Sequence, residues 1–112
     1  HPSASAFLGL GVSERNIPFT YHSNWLSSGR WSIKVLTKNG TYYLEPLEIL
    51  KKQDIESISV EEIDLDYSYD ENFKPGLYHQ VNNFIKNNFE DFCTIENQLN
   101  MTKNIYNKIA NY

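Results

Sequence analysis

Residues 33–44 read Ile-Lys-Val-Leu-Thr-Lys-Asn-Gly-Thr-Tyr-Tyr-Leu, and this stretch decides the fold. Two strand-like runs flank Asn39-Gly40, a dipeptide that tolerates the positive φ angles of a type I′ hairpin turn. A two-residue loop at these positions predicts a register in which Lys34 faces Glu45, an opposite-charge pair. Apolar residues fall on both faces of the two predicted strands. We therefore expect an antiparallel hairpin whose two faces are both at least partly covered.

Alternating apolar and polar residues predict further strands before this hairpin. Residues 18–25 alternate around Phe19, Tyr21 and Trp25 and end at turn-forming residues 26–29. Residues 4–12 predict one more strand, and this interpretation makes Gly9 and Gly11 part of a strand. The same glycines imitate the start of a dinucleotide fingerprint, but Glu14 occupies the position of its third glycine.

Strand signals continue beyond the hairpin as far as residue 67. Pro46 cannot donate to a ladder and so indicates an edge or a bulge. The apolar run then continues to Leu50 and breaks at the polar residues 51–54. Residues 58–67 form the last predicted strand, and its apolar residues change phase at Glu61-Glu62. Since a slip of one residue inverts the faces, the change of phase predicts a bulge there.

Helical periodicity replaces the alternation in the last third of the chain. One helix is predicted from about Pro75, with an apolar stripe of Leu77, Val81, Phe84, Ile85 and Phe89. A second is predicted from Thr94, a good N-cap residue, through Ile109. The predicted fold class is therefore α+β: a mainly antiparallel sheet of four to five strands, followed by two C-terminal helices.

Composition excludes several classes of function. The 112 residues suit one domain, and a net charge of −4 argues against nucleic-acid binding. A single cysteine, Cys93, favours a reducing, cytoplasmic compartment, and a buried structural thiol is the favoured interpretation of it. The acidic stretch between Glu61 and Glu71 lacks the glycine of a calcium loop, so we expect a solvated surface there. The spacing of the three histidines predicts no metal site.

Four residues are the candidate substrate-binding groups, because they combine aromatic or multi-donor side chains with positions beside loops: Trp25, Arg30, Tyr78 and His79. Trp25 and Arg30, with Trp31, flank one loop. Packing at a sheet edge, with the arginine stacked on an aromatic ring, competes there with a sugar-binding platform. His79 is either a solvated surface residue or a polar contact to a substrate or a neighbouring domain. The sequence leaves both choices open.

The order of these segments resembles the C-terminal domain of Gfo/Idh/MocA oxidoreductases over about residues 16–112. The resemblance is carried by three stretches: His-Ser-Asn-Trp-Leu-Ser-Ser-Gly-Arg-Trp-Ser-Ile-Lys-Val at 22–35 with Asn-Gly-Thr-Tyr-Tyr-Leu at 39–44, Gly-Leu-Tyr-His-Gln-Val-Asn-Asn-Phe-Ile at 76–85, and Thr-Ile-Glu-Asn-Gln-Leu at 94–99 through Ile-Tyr at 105–106.

This resemblance implies that residues 1–112 are the substrate and oligomerisation domain of an NAD(P)-dependent sugar or nucleotide-sugar dehydrogenase. The Rossmann domain, which binds NAD or NADP in that family, and the catalytic residues would lie outside this chain. We accordingly expect no cofactor and no catalysis in the chain alone, and a homo-oligomer formed through the sheet. The alternatives are a stand-alone dimerising interaction module and a small carbohydrate-binding domain using Trp25 and Trp31.

Overall fold

The computed structural model describes residues 5–110, which fall into two compact units. One unit comprises the chain up to Ser28 and from Asp91 onward, and the other comprises Gly29–Glu90. In chain order the elements are β1 (Ala6–Val12), β2 (Pro18–Asn24), β3 (Ile33–Thr37), β4 (Gly40–Leu44), β5 (Leu50–Asp54), β6 (Glu61–Glu62), α1 (Ser68–Asn72), α2 (Leu77–Ile85), α3 (Ile95–Met101), a π-helical turn (Thr102–Tyr106) and α4 (Asn107–Ala110). Antiparallel sheets and helices, the last at the C-terminal end, confirm the α+β class. The strands are divided between a two-stranded and a four-stranded sheet.

In the first unit, β1 and β2 form an antiparallel hairpin in which aromatic rings cover glycines. Gly9 pairs with Tyr21 and Gly11 with Phe19. A Cβ atom on Gly11 would lie 2.5 Å from Cζ of Phe19, so the ring occupies the space of the missing side chain. The two predicted strands are confirmed, except that the predicted start at Ala4 lies outside the described residues. The glycines belong to a strand and not to a phosphate-binding turn.

The second unit contains the four-stranded sheet, in the order β3-β4-β5-β6 with all neighbours antiparallel. The hairpin exists as predicted, but its register is two residues away from the predicted one. Thr37 pairs with Gly40, so the two loop residues are Lys38 and Asn39, and Lys34 faces Tyr43 and not Glu45. The predicted type I′ turn at Asn39-Gly40 is therefore wrong. Gly40 has a φ of 142° and is the first residue of β4.

The predicted break at residues 51–54 is wrong, because these polar residues lie within β5. Two of them have acidic partners in β6, since Lys51 faces Glu62 and Lys52 faces Glu61, and such opposite-charge pairs stabilise a ladder. The apolar residues just before them lie in the connection from β4, together with Pro46.

The last predicted strand is mostly absent. Only Glu61 and Glu62 form β6, with one further ladder bond from the Ile63 N–H to the Leu50 carbonyl at 2.9 Å, so the change of phase reflects the end of a strand and not a bulge. The acidic segment instead contains the short helix α1, which the alternation did not predict.

Both predicted helices form. α2 begins within two residues of Pro75, but it ends at Ile85, so the expected helical position of Phe89 is wrong. Asn87 has a φ of 56°, a left-handed conformation that follows helix ends. Thr94 is confirmed as an N-cap, since its Oγ1 accepts the Asn97 N–H at 3.1 Å. The helix that follows runs through α3, the π-helical turn and α4.

No residue in the described part of the chain is buried, so residues 5–110 enclose no hydrophobic core. The accessible surface of the chain is 10171 Å². A compact protein of 13.1 kDa exposes about 6,400 Å². Two separate compact bodies of about 50 and 60 residues would together expose about 7,700 Å². The accessible surface of the chain exceeds this value too, so the difference does not depend on how the two units are arranged.

Candidate functional site

A cluster of four aromatic rings lies where α1 and α2 meet, and it includes two of the four candidate residues. Tyr69 and Tyr78 are stacked, with ring centroids 4.1 Å apart and an angle of 7° between the ring planes. Phe73 lies 5.3 Å from Tyr78 on the centroid distance, and the His79 ring meets Tyr69 edge-on at 5.2 Å. We call Tyr69, Phe73, Tyr78 and His79 the aromatic cluster.

Local hydrogen bonds order the start of α1 and the loop between α1 and α2. The Asp66 carboxylate accepts the Ser68 N–H at 3.0 Å just before α1 begins. The Asp70 carboxylate accepts the Gly76 N–H at 2.9 Å and so closes the loop that leads into α2. Gly76 has a φ of 76°, a conformation that a side chain disfavours. Two acidic side chains of the stretch between Glu61 and Glu71 therefore organise the loops around the aromatic cluster.

The contacts in this region shift two pKa values. Electrostatic interaction and hydrogen bonding with Tyr78 are the main causes that raise the pKa of Tyr69 above its ordinary value of 10.0. Hydrogen bonds from the side chain and the backbone of Ser68 lower the pKa of Asp66. The Tyr69 hydroxyl consequently stays neutral at neutral pH and can donate and accept hydrogen bonds.

Arg30 belongs to a different neighbourhood of the same unit. Its guanidinium forms an ion pair with Glu48 at 3.7 Å, and 71% of its side chain is exposed. The expected stacking of arginine on an aromatic ring is not how this residue is held. In the described part of the chain, cation–π contacts are made instead by Lys34 over Tyr43 and Lys52 over Tyr42. Most of the guanidinium donors of Arg30 therefore face solvent.

Two exposed tryptophans are the remaining aromatic candidates. Trp25 follows β2 in the first unit and is 73% exposed, and Trp31 precedes β3 in the second unit and is 75% exposed. The Trp25 N–H extends the β1–β2 ladder by donating to the Ser5 carbonyl at 2.8 Å. Both indoles are therefore largely accessible to solvent.

Cys93 is exposed, so the expectation of a buried thiol is wrong. Its Sγ lies 3.6 Å from the Thr94 carbonyl and 3.7 Å from Oε1 of Gln98, at the start of α3. The side chain points to groups of the helix N-terminus and not into an apolar pocket.

The four-stranded sheet adds polar groups that the sequence did not single out. The Tyr43 hydroxyl donates to Oε1 of Gln53 at 2.8 Å, and Nε2 of Gln53 donates to the Ser57 carbonyl at 2.7 Å. Lys52 forms an ion pair with Asp54, which raises the pKa of Lys52. The Tyr43–Gln53 bond links β4 to β5, whereas the Gln53–Ser57 bond joins β5 to the segment after it and the Lys52–Asp54 pair lies within β5.

Sequence reasoning named Tyr78 and His79 but missed Tyr69 and Phe73. The signal was present, because Tyr69 and Phe73 are four residues apart, the spacing that places side chains on one helical face. The preceding odd-numbered apolar residues suggested that a strand continued into this segment. The acidic composition then favoured a loop.

Other site chemistry has no geometric support in residues 5–110. No three His, Cys, Asp or Glu side chains of these residues are grouped closely enough to hold a metal ion. None of the helices within the same residues is sufficiently long and apolar to cross a membrane.

Comparison with protein-family models, with curated proteins and with solved structures found no match to this chain.

Proposed function

We propose that this chain is the sheet-forming substrate and assembly part of an NAD(P)-dependent oxidoreductase that acts on a sugar or nucleotide sugar. The single observation that carries the proposal is that no residue from 5 to 110 is buried, although strands and helices are well formed there. Such a chain is one layer of a larger body and requires other protein to cover it. The resemblance to Gfo/Idh/MocA C-terminal domains supplies the enzyme class and the missing Rossmann partner.

The surfaces left open in each unit support this role. In the first unit, Leu8 and Leu10 project from one face of the hairpin and are 83% and 80% exposed. In the second unit, α1 and α2 contact each other, and neither packs on the four-stranded sheet. One face of this sheet, which we call the apolar face, carries Ile33, Val35, Tyr42, Leu44 and Leu50 at one end, and Lys52 and Asp54 of β5 at the other. Ile33 and Val35 are exposed, and exposed apolar patches mark interaction surfaces.

The candidate binding groups have separate roles in this proposal. Arg30 offers forked donors to phosphate or hydroxyl oxygens of a nucleotide sugar. Tyr78 and His79 offer ring surfaces and hydrogen-bonding groups from the aromatic cluster. Trp25 offers an indole face to a sugar ring. Hydride transfer itself would need NAD or NADP held by the Rossmann partner, and we place the protein in the cytoplasm, where the exposed Cys93 thiol stays reduced.

Calorimetric titration tests the enzyme class directly. NADH, NADPH and a panel of nucleotide sugars are titrated into the 112-residue chain and into the intact gene product. We expect no dinucleotide binding by the chain, and binding with substrate-dependent NAD(P)H turnover by the intact product. Failure of the intact product to bind either dinucleotide would contradict the proposal. Sugar binding by the chain without any nucleotide would favour a carbohydrate-binding module that uses Trp25 or Trp31.

Arg30→Ala tests the pocket within the intact enzyme. Loss of a charged hydrogen-bonding group should raise KM by roughly 10-fold or more, with little change in folding. Glu48→Ala is the matched control, because it breaks the same ion pair but retains the guanidinium. An equal rise of KM in both variants would show a structural role, and an unchanged KM in Arg30→Ala would remove Arg30 from the site.

A further inference from the structure

Strand β3 is an open edge of the four-stranded sheet. It pairs with β4 on one side, and no other strand of the described chain pairs with its second side. Among residues 5–110, the backbone of β3 is hydrogen-bonded to β4 alone. Every residue of β3 is exposed, including Ile33, Val35 and Leu36. The edge therefore offers backbone donors and acceptors beside apolar side chains.

Edges of this kind are normally protected against pairing, and β3 lacks the usual protection. Proteins blunt open edges with proline, bulges, charged residues or a covering segment. β3 contains no proline, and its pairing with β4 is continuous without a bulge. Its one charged residue is Lys34, whose ammonium lies 5.2 Å from the centroid of the Tyr43 ring on the neighbouring strand β4. That charge is directed along the face of the sheet and away from the open edge.

We propose that β3 pairs antiparallel with β3 of a second copy of this chain, with Val35 on the two-fold axis. The pairing joins two four-stranded sheets into one continuous sheet of eight strands. It extends the assembly role of the proposed function, but it does not depend on the enzyme class. A second copy suits this edge because the strand can pair with itself without opposing like charges, its one charged residue being Lys34.

The register follows from the faces and from charge. A two-fold axis perpendicular to the sheet places the apolar faces of both copies on the same side of the joined sheet. In such a pairing each residue must oppose a residue from the same face of the second copy. With Val35 on the axis, Ile33 opposes Thr37 of the second copy, and Lys34 opposes Leu36. Moving the axis to Lys34 places two lysines opposite each other. Moving it to Leu36 places Lys34 opposite Lys38, which is also a like-charge pair and unfavourable.

Single cysteines test both the pairing and its register. Lys34→Cys, Val35→Cys and Leu36→Cys are made separately in the intact protein, with Cys93→Ser as the common background. Disulfides are formed with copper phenanthroline and separated on non-reducing gels. A disulfide needs Cα atoms within about 7 Å, so Val35→Cys should cross-link several-fold more than either neighbour. Stronger cross-linking at position 34 or 36, equal cross-linking at all three, or none would overturn the proposal.

Two charge variants test the same register without cysteine chemistry. In the proposed pairing, residue 36 opposes Lys34 twice, once on each side of the axis. Leu36→Glu should therefore dimerise more tightly than Leu36→Lys, by roughly 4-fold or more in Kd. Equal dimerisation constants would overturn the register. Absence of NAD(P)-dependent activity in the intact parent protein, with dimerisation as proposed, would instead count against the proposed function, so the two failures are distinguishable.

Discussion

Gly40 shows how the close approach of two strands can require a glycine. Its φ of 142° lies in a region that L side chains rarely adopt. A Cβ atom there would collide with the Gln53 carbonyl oxygen and would lie 3.2 Å from the Cα of Asp54 on β5. Glycine is needed here for the close approach of β4 to β5, whereas the sequence suggested that it was needed for the turn.

Gly40→Ala should destabilise the folded protein by about 1–3 kcal/mol, because it adds both backbone strain and a steric clash. Urea unfolding of the assembled protein measures the loss. Gly29→Ala is the matched control: Gly29 has a φ of 156°, but no heavy atom lies within 4 Å of the added Cβ. Equal losses of unfolding free energy in Gly40→Ala and Gly29→Ala would show that the close approach of β4 to β5 adds nothing to the cost of the substitution.

Tyr69 provides a pH-dependent test of the aromatic cluster. Since Tyr78 is the main cause of the raised pKa of Tyr69, Tyr78→Phe should lower that pKa toward 10.0. A raised pKa means that the folded state favours the protonated phenol. The associated stability is present below pH 10 and is lost as pH rises through the folded pKa of Tyr69.

Carbon-13 labelling of tyrosine Cζ allows the titration of Tyr69 to be followed by NMR. Tyr43→Phe is the control, because Tyr43 lies in the sheet and bonds to Gln53. It should leave the titration of Tyr69 unchanged. A Tyr69 pKa that is the same in the parent protein and in Tyr78→Phe would show that the two rings do not interact in solution.

At the scale of elements, the sequence predicted which segments form strands and helices better than it predicted how they pair. Alternation fixes only the face of each residue, and a shift of two residues preserves every face. For this reason, the pattern could not distinguish Lys34 opposite Glu45 from the observed pairing with Tyr43. Strand β5 escaped prediction because its polar residues depend on partners in β6, which are distant in sequence.

The candidate site was also predicted only in part, because the sequence reveals local interactions more clearly than contacts between elements. Tyr78 and His79 were recognisable from their own helix, whereas Tyr69 and Phe73 depended on recognising α1 within an acidic segment. A helix of five residues carries too little periodicity to be distinguished from a loop. The N-cap Thr94 was predictable because capping is a local interaction.

Thr94→Ala should destabilise the C-terminal helix by about 0.5–2 kcal/mol through loss of the hydrogen bond to the Asn97 N–H. Circular dichroism during urea unfolding measures the change. Thr102→Ala is the control within the same helix. The Thr102 hydroxyl donates back to the Gln98 carbonyl at 2.8 Å, an interaction that slightly disfavours helix, so this variant should be neutral or stabilising. A larger loss of unfolding free energy in Thr102→Ala than in Thr94→Ala would contradict the capping role of Thr94.

At the scale of the whole molecule, the governing fact is the amount of apolar surface left in contact with solvent. Folding normally balances lost chain entropy with buried apolar area. Here no described residue is buried, although strands, helices and caps are well formed. In the proposed function, association with a nucleotide-binding partner or with further copies of the chain supplies the missing stabilisation. The apolar face of the four-stranded sheet and the open edge at β3 are the surfaces offered for it.

Sedimentation velocity of the 112-residue chain over a wide range of concentrations tests this requirement most directly. Our account predicts that the chain sediments as dimers or larger species and that the fraction of monomer falls as the concentration rises. A chain that remains monomeric at every concentration, and that unfolds cooperatively as a monomer, would contradict the account.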